Sequence, residues 1–284
     1  MKRLVTSSLA AVFALASFHA FAGGFDKPAG LQVYSLRSQI KLRGLPWALD
    51  QIKGWGITEL ELAGLPPDLT ADVLKEELAK RGLKAISSHF PYKRWKTDLD
   101  NVVKEAKSLG LQYAGCAWID HKDDFDDAEC NDAIEVFNKA GEALAKEGIK
   151  FFYHIHGFEF QKSPEGTLAD KLIKSTAPGK VSYEMDVLWI IFPGQDPVKL
   201  METYPDRWVL MHLKDLKKGV PVGALTGHTD VNNNVVLGQG QVNWPAVFAE
   251  AEKIGIKHYF IEDESDTVME QMPGHLKYFS TVKW

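Results

Sequence analysis

Hydrophobic and polar positions along the chain form a helix–strand unit that recurs. In five places a helical pattern ends in a glycine and an apolar stretch follows at once; the glycines are Gly56, Gly82, Gly110, Gly148 and Gly255. Glycine is typical of a helix end because it adopts the left-handed conformation at no steric cost from a Cβ. The pattern therefore predicts that each helix ends at its glycine and that a strand begins directly after it.

Three further apolar stretches raise the number of predicted strands to eight. The eight lie near 30–35, 57–63, 83–89, 112–119, 150–156, 181–188, 208–214 and 258–263. Helices are predicted over 69–80, 98–108 and 126–146, and two more open at Pro197 and after Asn243. Strands that alternate with helices form a parallel sheet with right-handed crossovers, so we predict a closed (β/α)₈ barrel. The alternative is an open doubly wound sheet. It is disfavoured because this chain has no glycine-rich phosphate loop after its first predicted strand.

The first residues predict export. Lys2 and Arg3 precede an apolar stretch from Leu4 to Phe21, and Ala22 completes a small-x-small cleavage pattern. This arrangement is typical of a secretory signal peptide. We therefore expect residues 1–22 to be removed, residues 23–284 to form one barrel domain, and the protein to reach the periplasm without a membrane anchor. The alternative, an uncleaved anchor, would have a stretch at the lower limit of length for a bilayer span.

Charge and cysteine content narrow the possible partners. The chain has 33 basic and 38 acidic residues, a net charge of −5 and no basic run. Proteins that bind nucleic acid usually have a basic patch, so we expect no nucleic-acid partner. Cys116 and Cys130 could form a disulfide in an oxidising compartment, although a chain of this length does not require one.

Polar residues gather where a barrel performs chemistry. Alternate strand residues face the barrel interior, and those at the carboxyl ends line the active site. Applied to the eight predicted strands, this rule selects Gln32, Tyr34, Glu59, Glu61, Ser87, His89, His154, His156, Glu184, Asp186, His212, Lys214 and Glu262. Charged groups that converge in one cavity usually have a ligand or a metal to neutralise them. Carboxylates and imidazoles together suit a divalent ion such as Mn²⁺, Mg²⁺, Co²⁺ or Zn²⁺.

Six segments carry a resemblance to a known family. They are GLQVYSLR at 30–37, YHIHGFEF at 153–160, MDVLW at 185–189, HLKD at 212–215, GQGQVNW at 238–244 and FIED at 260–263. In this order they resemble the sugar isomerase/epimerase family of xylose isomerase-like barrels, and the resemblance covers nearly the whole chain after residue 22. It implies one divalent metal ion, held by residues from strands five to eight.

The resemblance places Asp186, His212 and Glu262 as metal ligands on strands six, seven and eight. Strand five departs from the family pattern. Many relatives have a glutamate at its end, whereas this chain has His154 and His156 there, with Glu159 three residues further on. We expect Glu159 to be the fourth ligand, with either strand-five histidine as the alternative.

The resemblance also implies a reaction, in which a proton leaves a carbon next to a carbonyl and a metal ion stabilises the resulting enediolate. The expected acid–base and proton-shuttling residues are Glu159, Glu262, His156 and Lys214. The expected substrate contacts are Gln32, Tyr34, Glu61, His89, His154 and Trp189, although Trp189 could instead belong to the core. Export and the lack of a phosphate-binding motif favour a non-phosphorylated carbohydrate. A lyase or dehydratase acting on an oxidised glycoside, or a non-catalytic sugar-binding barrel, would use the same positions. An endonuclease-like phosphodiesterase is disfavoured by the net charge of −5.

The segment 217–241 is the longest predicted irregular stretch. It follows strand seven at the catalytic end and contains five glycines, together with Thr226, His228, Asp230 and three consecutive asparagines. Long loops are often functional. We hypothesise that this segment covers the substrate; the alternative is a polar surface connection.

Overall fold

The computed structural model describes Phe25 and residues 29–66, 68–164 and 166–284. Eight parallel strands close into a barrel, and neighbouring strands follow one another in chain order. The strands are β1 (Gly30–Gln32), β2 (Glu59–Leu62), β3 (Lys84–His89), β4 (Tyr113–Cys116), β5 (Lys150–His154), β6 (Val181–Asp186), β7 (Trp208–Leu213) and β8 (His258–Ile261). The predicted barrel is confirmed. The predicted signal peptide, residues 1–22, lies outside the described residues and stays a prediction.

Helices surround the barrel. They are α1 (Arg37–Arg43), α2 (Leu45–Gly54), α3 (Ala71–Ala79), α4 (Tyr92–Thr97), α5 (Leu99–Leu109), α6 (Asp127–Ala145), α7 (Leu168–Ser175), α8 (Val187–Ile191), α9 (Pro197–Thr203), α10 (Trp244–Ile254) and α11 (Val268–Thr281). All five glycines of the recurring unit have positive φ, and Gly110 and Gly255 cap α5 and α10 in the left-handed conformation. Within the described residues, none of the helices has the length and apolar character that a membrane span requires.

All strands except β3 end earlier than the hydrophobic pattern predicts, and in β1 and β6 a polar side chain turns the backbone at the carboxyl end. The side chain of Gln32 accepts a hydrogen bond from the backbone N–H of Tyr34 (2.9 Å), where the chain enters a 3₁₀ turn. The side chain of Asp186 accepts from the backbone N–H of Trp189 (3.0 Å) and caps α8. The prediction that strand six continues to residue 188 is therefore wrong, and Trp189 lies on a helix.

A small apolar layer separates the two ends of the barrel. Phe152, Leu210 and Phe260 pack together with Ile86, and the first three precede His154, His212 and Glu262 by two residues each, which puts them on the same side of their strands. A Cβ on Gly115 would lie 2.3 Å from the carbonyl oxygen of Phe152, so only glycine leaves room there. The polar residues rest on this packed layer.

Cys116 and Cys130 are both buried, and no disulfide joins them. Cys116 lies at the end of β4 and Cys130 in the first turns of α6.

Candidate active site

Four side chains from neighbouring strands direct their ligand atoms towards one another at the carboxyl end of the barrel. They are His154, Asp186, His212 and Glu262, and their ligand atoms all lie within 4.8 Å of one another. Asp186 Oδ2 is 3.6 Å from His212 Nδ1 and 3.8 Å from His154 Nε2. Glu262 Oε2 is 3.2 Å from His212 Nδ1. All four residues are buried.

Two atoms of this group have no hydrogen-bond partner among the described residues. His154 Nε2 and Asp186 Oδ2 are buried and unpaired. Buried polar atoms nearly always have a partner, so two that face each other indicate a missing one. A cation would bond to both atoms, and two imidazole nitrogens with two carboxylate oxygens are a suitable donor set for a divalent transition metal. The residues present therefore fit such an ion.

Glu159 lies outside this group, contrary to the expectation that it is the fourth ligand. It lies in the 3₁₀ turn Phe158–Phe160 and is fully buried. Its carboxylate accepts hydrogen bonds from the Tyr153 hydroxyl (2.5 Å) and from the backbone N–H groups of His156 (3.1 Å) and Gly157 (2.7 Å). The loop itself thus occupies both oxygens, and His154, the alternative drawn from the sequence, stands beside Asp186 instead.

A cavity of about 520 Å³ opens above the four residues. Aromatic rings form one wall: the ring of His156 lies 5.2 Å from that of Trp118 and 5.7 Å from that of Trp189. His228, from the long loop, lies 5.2 Å from Trp118. The other expected contacts Gln32, Tyr34 and His89 also line the cavity.

The structure separates Glu61 from the other expected substrate contacts. Its carboxylate is fully buried and does not line the cavity. It accepts hydrogen bonds from Gln32 Nε2 (2.7 Å) and Ser87 Oγ (2.6 Å) and lies 2.6 Å from His212 Nε2. Glu61 thus belongs to a layer beneath the ligand group.

Trp118 also lines the cavity, although it is not among the polar strand-end residues that the sequence predicts to lie there. It follows β4 by two residues, and β4 has no charged residue. The available signal was positional: an aromatic residue directly after a barrel strand, at the end where chemistry occurs.

Lys214 controls the charge of Glu262. Its buried ammonium lies 3.0 Å from Glu262 Oε2 and 2.5 Å from Glu264 Oε1. Burial opposes the charge on Lys214, but the two carboxylates outweigh it and raise the pKa of the lysine. Burial likewise opposes ionisation of Glu262, but Lys214 and His212 hold its pKa well below the usual range. Glu262 is therefore an ionised carboxylate beside the cavity.

The histidines of the site differ in charge. Burial, with a smaller contribution from Lys214, lowers the pKa of His156 to about 3, and burial also lowers the pKa of His154. For His212 burial acts in the same direction, but Glu184, Glu262 and other carboxylates outweigh it and raise the pKa well above the usual value. At neutral pH the imidazoles of His154 and His156 are therefore neutral, and that of His212 is protonated in the absence of an ion.

The long loop reaches over the cavity and is fixed at its base. Residues Gly227, His228, Thr229, Val231 and Asn234 line the cavity. The loop begins and ends in a short antiparallel pair, Asp215–Leu216 with Asn234–Val235. Asp215 also accepts hydrogen bonds from the backbone of Gly238, Gly240 and Val242 and from the Trp244 indole. The segment is therefore a structured part of the cavity wall.

Residues 49–279 match the family model of the xylose isomerase-like TIM barrel. The chain belongs to the xylose isomerase-like TIM barrel family. An inosose dehydratase from Geobacillus thermodenitrificans is 27% identical to this family member over 164 residues, which are 52% of this chain and 51% of that protein. The chain thus spans about half the length of the first curated relatives that it matches.

Solved structures resemble this protein over a larger part of the chain. A sugar phosphate isomerase/epimerase from Parabacteroides distasonis is 28% identical, with a TM-score of 0.71 over 94% of this chain and 97% of that one. The IolI protein with a bound zinc atom is 16% identical, with a TM-score of 0.68 over 88% of this chain and 95% of that one. The latter likeness establishes the fold alone.

Proposed function

We propose that this family member is a divalent-metal-dependent enzyme that isomerises or epimerises a non-phosphorylated sugar or keto-sugar. The observation that carries the proposal is the pair of unpartnered buried atoms, His154 Nε2 and Asp186 Oδ2, beside His212 and Glu262. This group lies next to a cavity with an aromatic wall, the kind of surface on which the C–H face of a sugar packs.

The ion would be held by His154, Asp186, His212 and Glu262, with His154 in the position that we first expected Glu159 to occupy. Mn²⁺, Mg²⁺, Co²⁺ and Zn²⁺ are the candidates, and the two imidazoles favour the transition metals among them. When bound, the ion supplies Lewis-acid stabilisation of negative charge on substrate oxygens. The zinc atom bound by the IolI protein, which shares this fold, supports the presence of a metal ion.

Glu262 is the proposed base, because Lys214 keeps it ionised beside the cavity. It removes the proton from the carbon next to the substrate carbonyl. In an isomerisation this proton returns to the neighbouring carbon; in an epimerisation it passes to water while a proton from water enters the opposite face of the same carbon. His156, a neutral imidazole with a buried and unpartnered Nδ1, lies on the aromatic wall and exchanges a proton with a substrate oxygen. Gln32 and His89 donate to hydroxyl groups from the cavity floor, while Tyr34 contributes at the rim.

The cavity argues for a substrate without phosphate. No lysine or arginine is among the described residues that line it. The ammonium of Lys214 lies nearby, but it is already paired with Glu262 and Glu264. The proposed export, which rests on the pattern of residues 1–22, agrees with this choice because sugar phosphates are mainly cytoplasmic metabolites.

A dehydratase or lyase acting on an oxidised sugar is the second candidate. The same proton abstraction leads to elimination when a leaving group lies on the next carbon. The matched inosose dehydratases support this alternative, and Trp118 with His228 provides aromatic surface for a ring attached to the reacting sugar. Both candidates share the residues given above.

Proton exchange with solvent tests the common step. The metal-loaded protein is incubated in D₂O with a panel of keto-sugars and oxidised glycosides whose binding is first verified by calorimetry. We expect NMR to show that deuterium enters the carbon next to the carbonyl. In the Glu262→Gln variant the rate of this exchange should fall by about 10²-fold or more. Epimerised, isomerised or eliminated products distinguish the two candidates. A panel member that binds at this cavity without exchanging, in protein with full metal content, would contradict the proposal.

A further inference from the structure

Two buried carboxylates lie directly beneath the ligand group, and the steps above leave them without a role. Glu61 on β2 and Glu184 on β6 are both fully buried. Isolated buried carboxylates are costly, so their presence needs compensating partners. Those partners are the histidines of the site.

Each of the two ligand imidazoles has one nitrogen towards the ligand group and the other towards a buried carboxylate. His212 directs Nδ1 to Asp186 and Glu262, while its Nε2 lies 2.6 Å from Glu61 Oε1 and 3.2 Å from Glu184 Oε2. His154 directs Nε2 to Asp186, while its Nδ1 lies 3.0 Å from Glu184 Oε2. The two rings therefore connect the ligand group with the two buried carboxylates beneath it.

Other side chains hold both oxygens of Glu61 and one oxygen of Glu184, whose Oε1 has no hydrogen-bond partner among the described residues. Gln32 and Ser87 donate to Glu61 at 2.7 and 2.6 Å. His89 Nε2 lies between the two carboxylates, 3.2 Å from Glu61 Oε1 and 3.1 Å from Glu184 Oε2. Side chains held in this way can orient the imidazoles above them.

A second cation site is the competing explanation, since His89, His154, Glu184 and His212 also bring ligand atoms within 4.8 Å of one another. It would require both nitrogens of His154 and of His212 to bind metal. A neutral imidazole has only one nitrogen with a free lone pair, because the other carries the proton. His212 Nε2 also lies 2.6 Å from Glu61 Oε1, a carboxylate outside this group, and a hydrogen bond of that length already occupies the nitrogen. Hydrogen bonds therefore explain the contacts of Glu61 and Glu184 with the histidines better than a second ion does.

We propose that Glu61 and Glu184 are positioning residues for the metal site: Glu61 accepts the Nε2–H of His212, and Glu184 accepts the Nδ1–H of His154. Each bond selects the tautomer whose remaining nitrogen presents a lone pair to the ion and fixes the ring plane. This inference rests on the proposed function, because it assumes an ion among the four ligands.

Metal affinity in the absence of substrate tests the inference. Metal-free protein is titrated with Co²⁺ or Zn²⁺ in competition with a chromophoric chelator, and the visible spectrum of the Co²⁺ form is recorded. We expect Glu184→Gln and Glu61→Gln each to lower the affinity about 10- to 100-fold and to alter the Co²⁺ spectrum. The matched control is Glu59→Gln, on the same strand as Glu61, whose carboxylate pairs with His258 at 2.8 Å near the start of the strands. It should leave both measurements unchanged.

The outcomes separate the two proposals. Failure of the unaltered protein to bind an ion would refute the proposed function. One ion per chain, with unchanged affinity and spectrum in both glutamine variants, would refute only the positioning role. Two ions per chain, one of them lost in Glu184→Gln, would replace that role with a second cation site. If thermal unfolding shows that the glutamine variants do not fold, Ser87→Ala loosens Glu61 without removing its charge; unchanged affinity there also counts against the positioning role.

Discussion

Both ends of the barrel have a carboxylate–imidazole pair, but the two pairs lie in different surroundings. At the amino end Glu59 and His258 are 2.8 Å apart, and their side chains are 35% and 14% exposed. At the carboxyl end Glu61 and His212 are 2.6 Å apart, and both side chains are fully buried. A partly solvated pair contributes little and needs no further partner. A buried pair is stable only when its other polar atoms are satisfied, and around His212 some are not.

The difference follows from position along the strand. Glu59 and Glu61 both lie on β2 and face the same side, two residues apart. The apolar layer of Phe152, Leu210 and Phe260 crosses the barrel between the levels of the two pairs. The same residue types therefore form an ordinary surface contact below this layer and a candidate metal site above it.

The largest expected effect comes from removing one histidine at each end. His212→Ala removes a ligand and the N–H group that faces the two buried carboxylates Glu61 and Glu184, so we expect it to lose stoichiometric metal binding. His258→Ala removes only the partner of Glu59 and should retain about one ion per chain. Elemental analysis of reconstituted protein measures both. Equal metal content in the two variants would show that His212 is no more important for metal binding than His258, and would contradict the proposed site.

Shortening the long loop tests whether the carboxyl end also needs a cover. Replacing residues 224–232 with a short glycine–serine link removes His228 and the nearby cavity wall, but leaves the Asp215 anchor in place. We expect turnover on the true substrate to fall about 10²-fold, because excluding water and orienting the substrate contribute this much. The melting temperature and metal content should stay nearly constant. Unchanged turnover would show that the segment only connects β7 to α10 and does not serve as a cover for the substrate.

Metal affinity should depend on pH through His212. Its pKa is raised well above the usual value in the metal-free state, so at neutral pH its ring carries a proton that an incoming ion must displace. Affinity should therefore rise with pH, by about tenfold per unit, until the raised pKa is reached. Calorimetry in buffers of different ionisation enthalpy should detect about one proton released per ion. Affinity that is flat with pH would mean that His212 is already neutral.

The sequence predicted the barrel well because the fold depends on signals that recur. Five glycines with positive φ end the helices, and the apolar stretches after them form strands. The same alternation placed Asp186, His212 and Glu262 together, since inward positions at the strand ends are geometrically equivalent.

The residues whose conformation or role the sequence does not predict lie beyond the strands, where this alternation no longer applies. Glu159 follows β5 by five residues, and hydrogen bonds from the backbone of its own loop determine its direction. Trp189 lines the cavity as expected, but it lies on a helix that Asp186 caps, which a strand pattern does not indicate. Trp118 is apolar and was not among the residues searched for. Loop conformation depends on individual hydrogen bonds, and these are not visible in hydrophobic periodicity.

The smallest expected effect distinguishes Glu159 from the ligand carboxylates. In Glu159→Gln one carboxylate oxygen becomes an NH₂ group, which faces donors from Tyr153, His156 or Gly157 and leaves at least one of them unpaired. We expect a loss of about 1–3 kcal/mol in the free energy of unfolding, measured by denaturant titration of the metal-free protein. Metal content should be unchanged. Tyr153→Phe is the control, because it removes one donor to Glu159 while keeping the carboxylate, and it should cost less. If Glu159→Gln instead loses its ion as His212→Ala is expected to, the original sequence-based expectation is restored and His154 is not the fourth ligand.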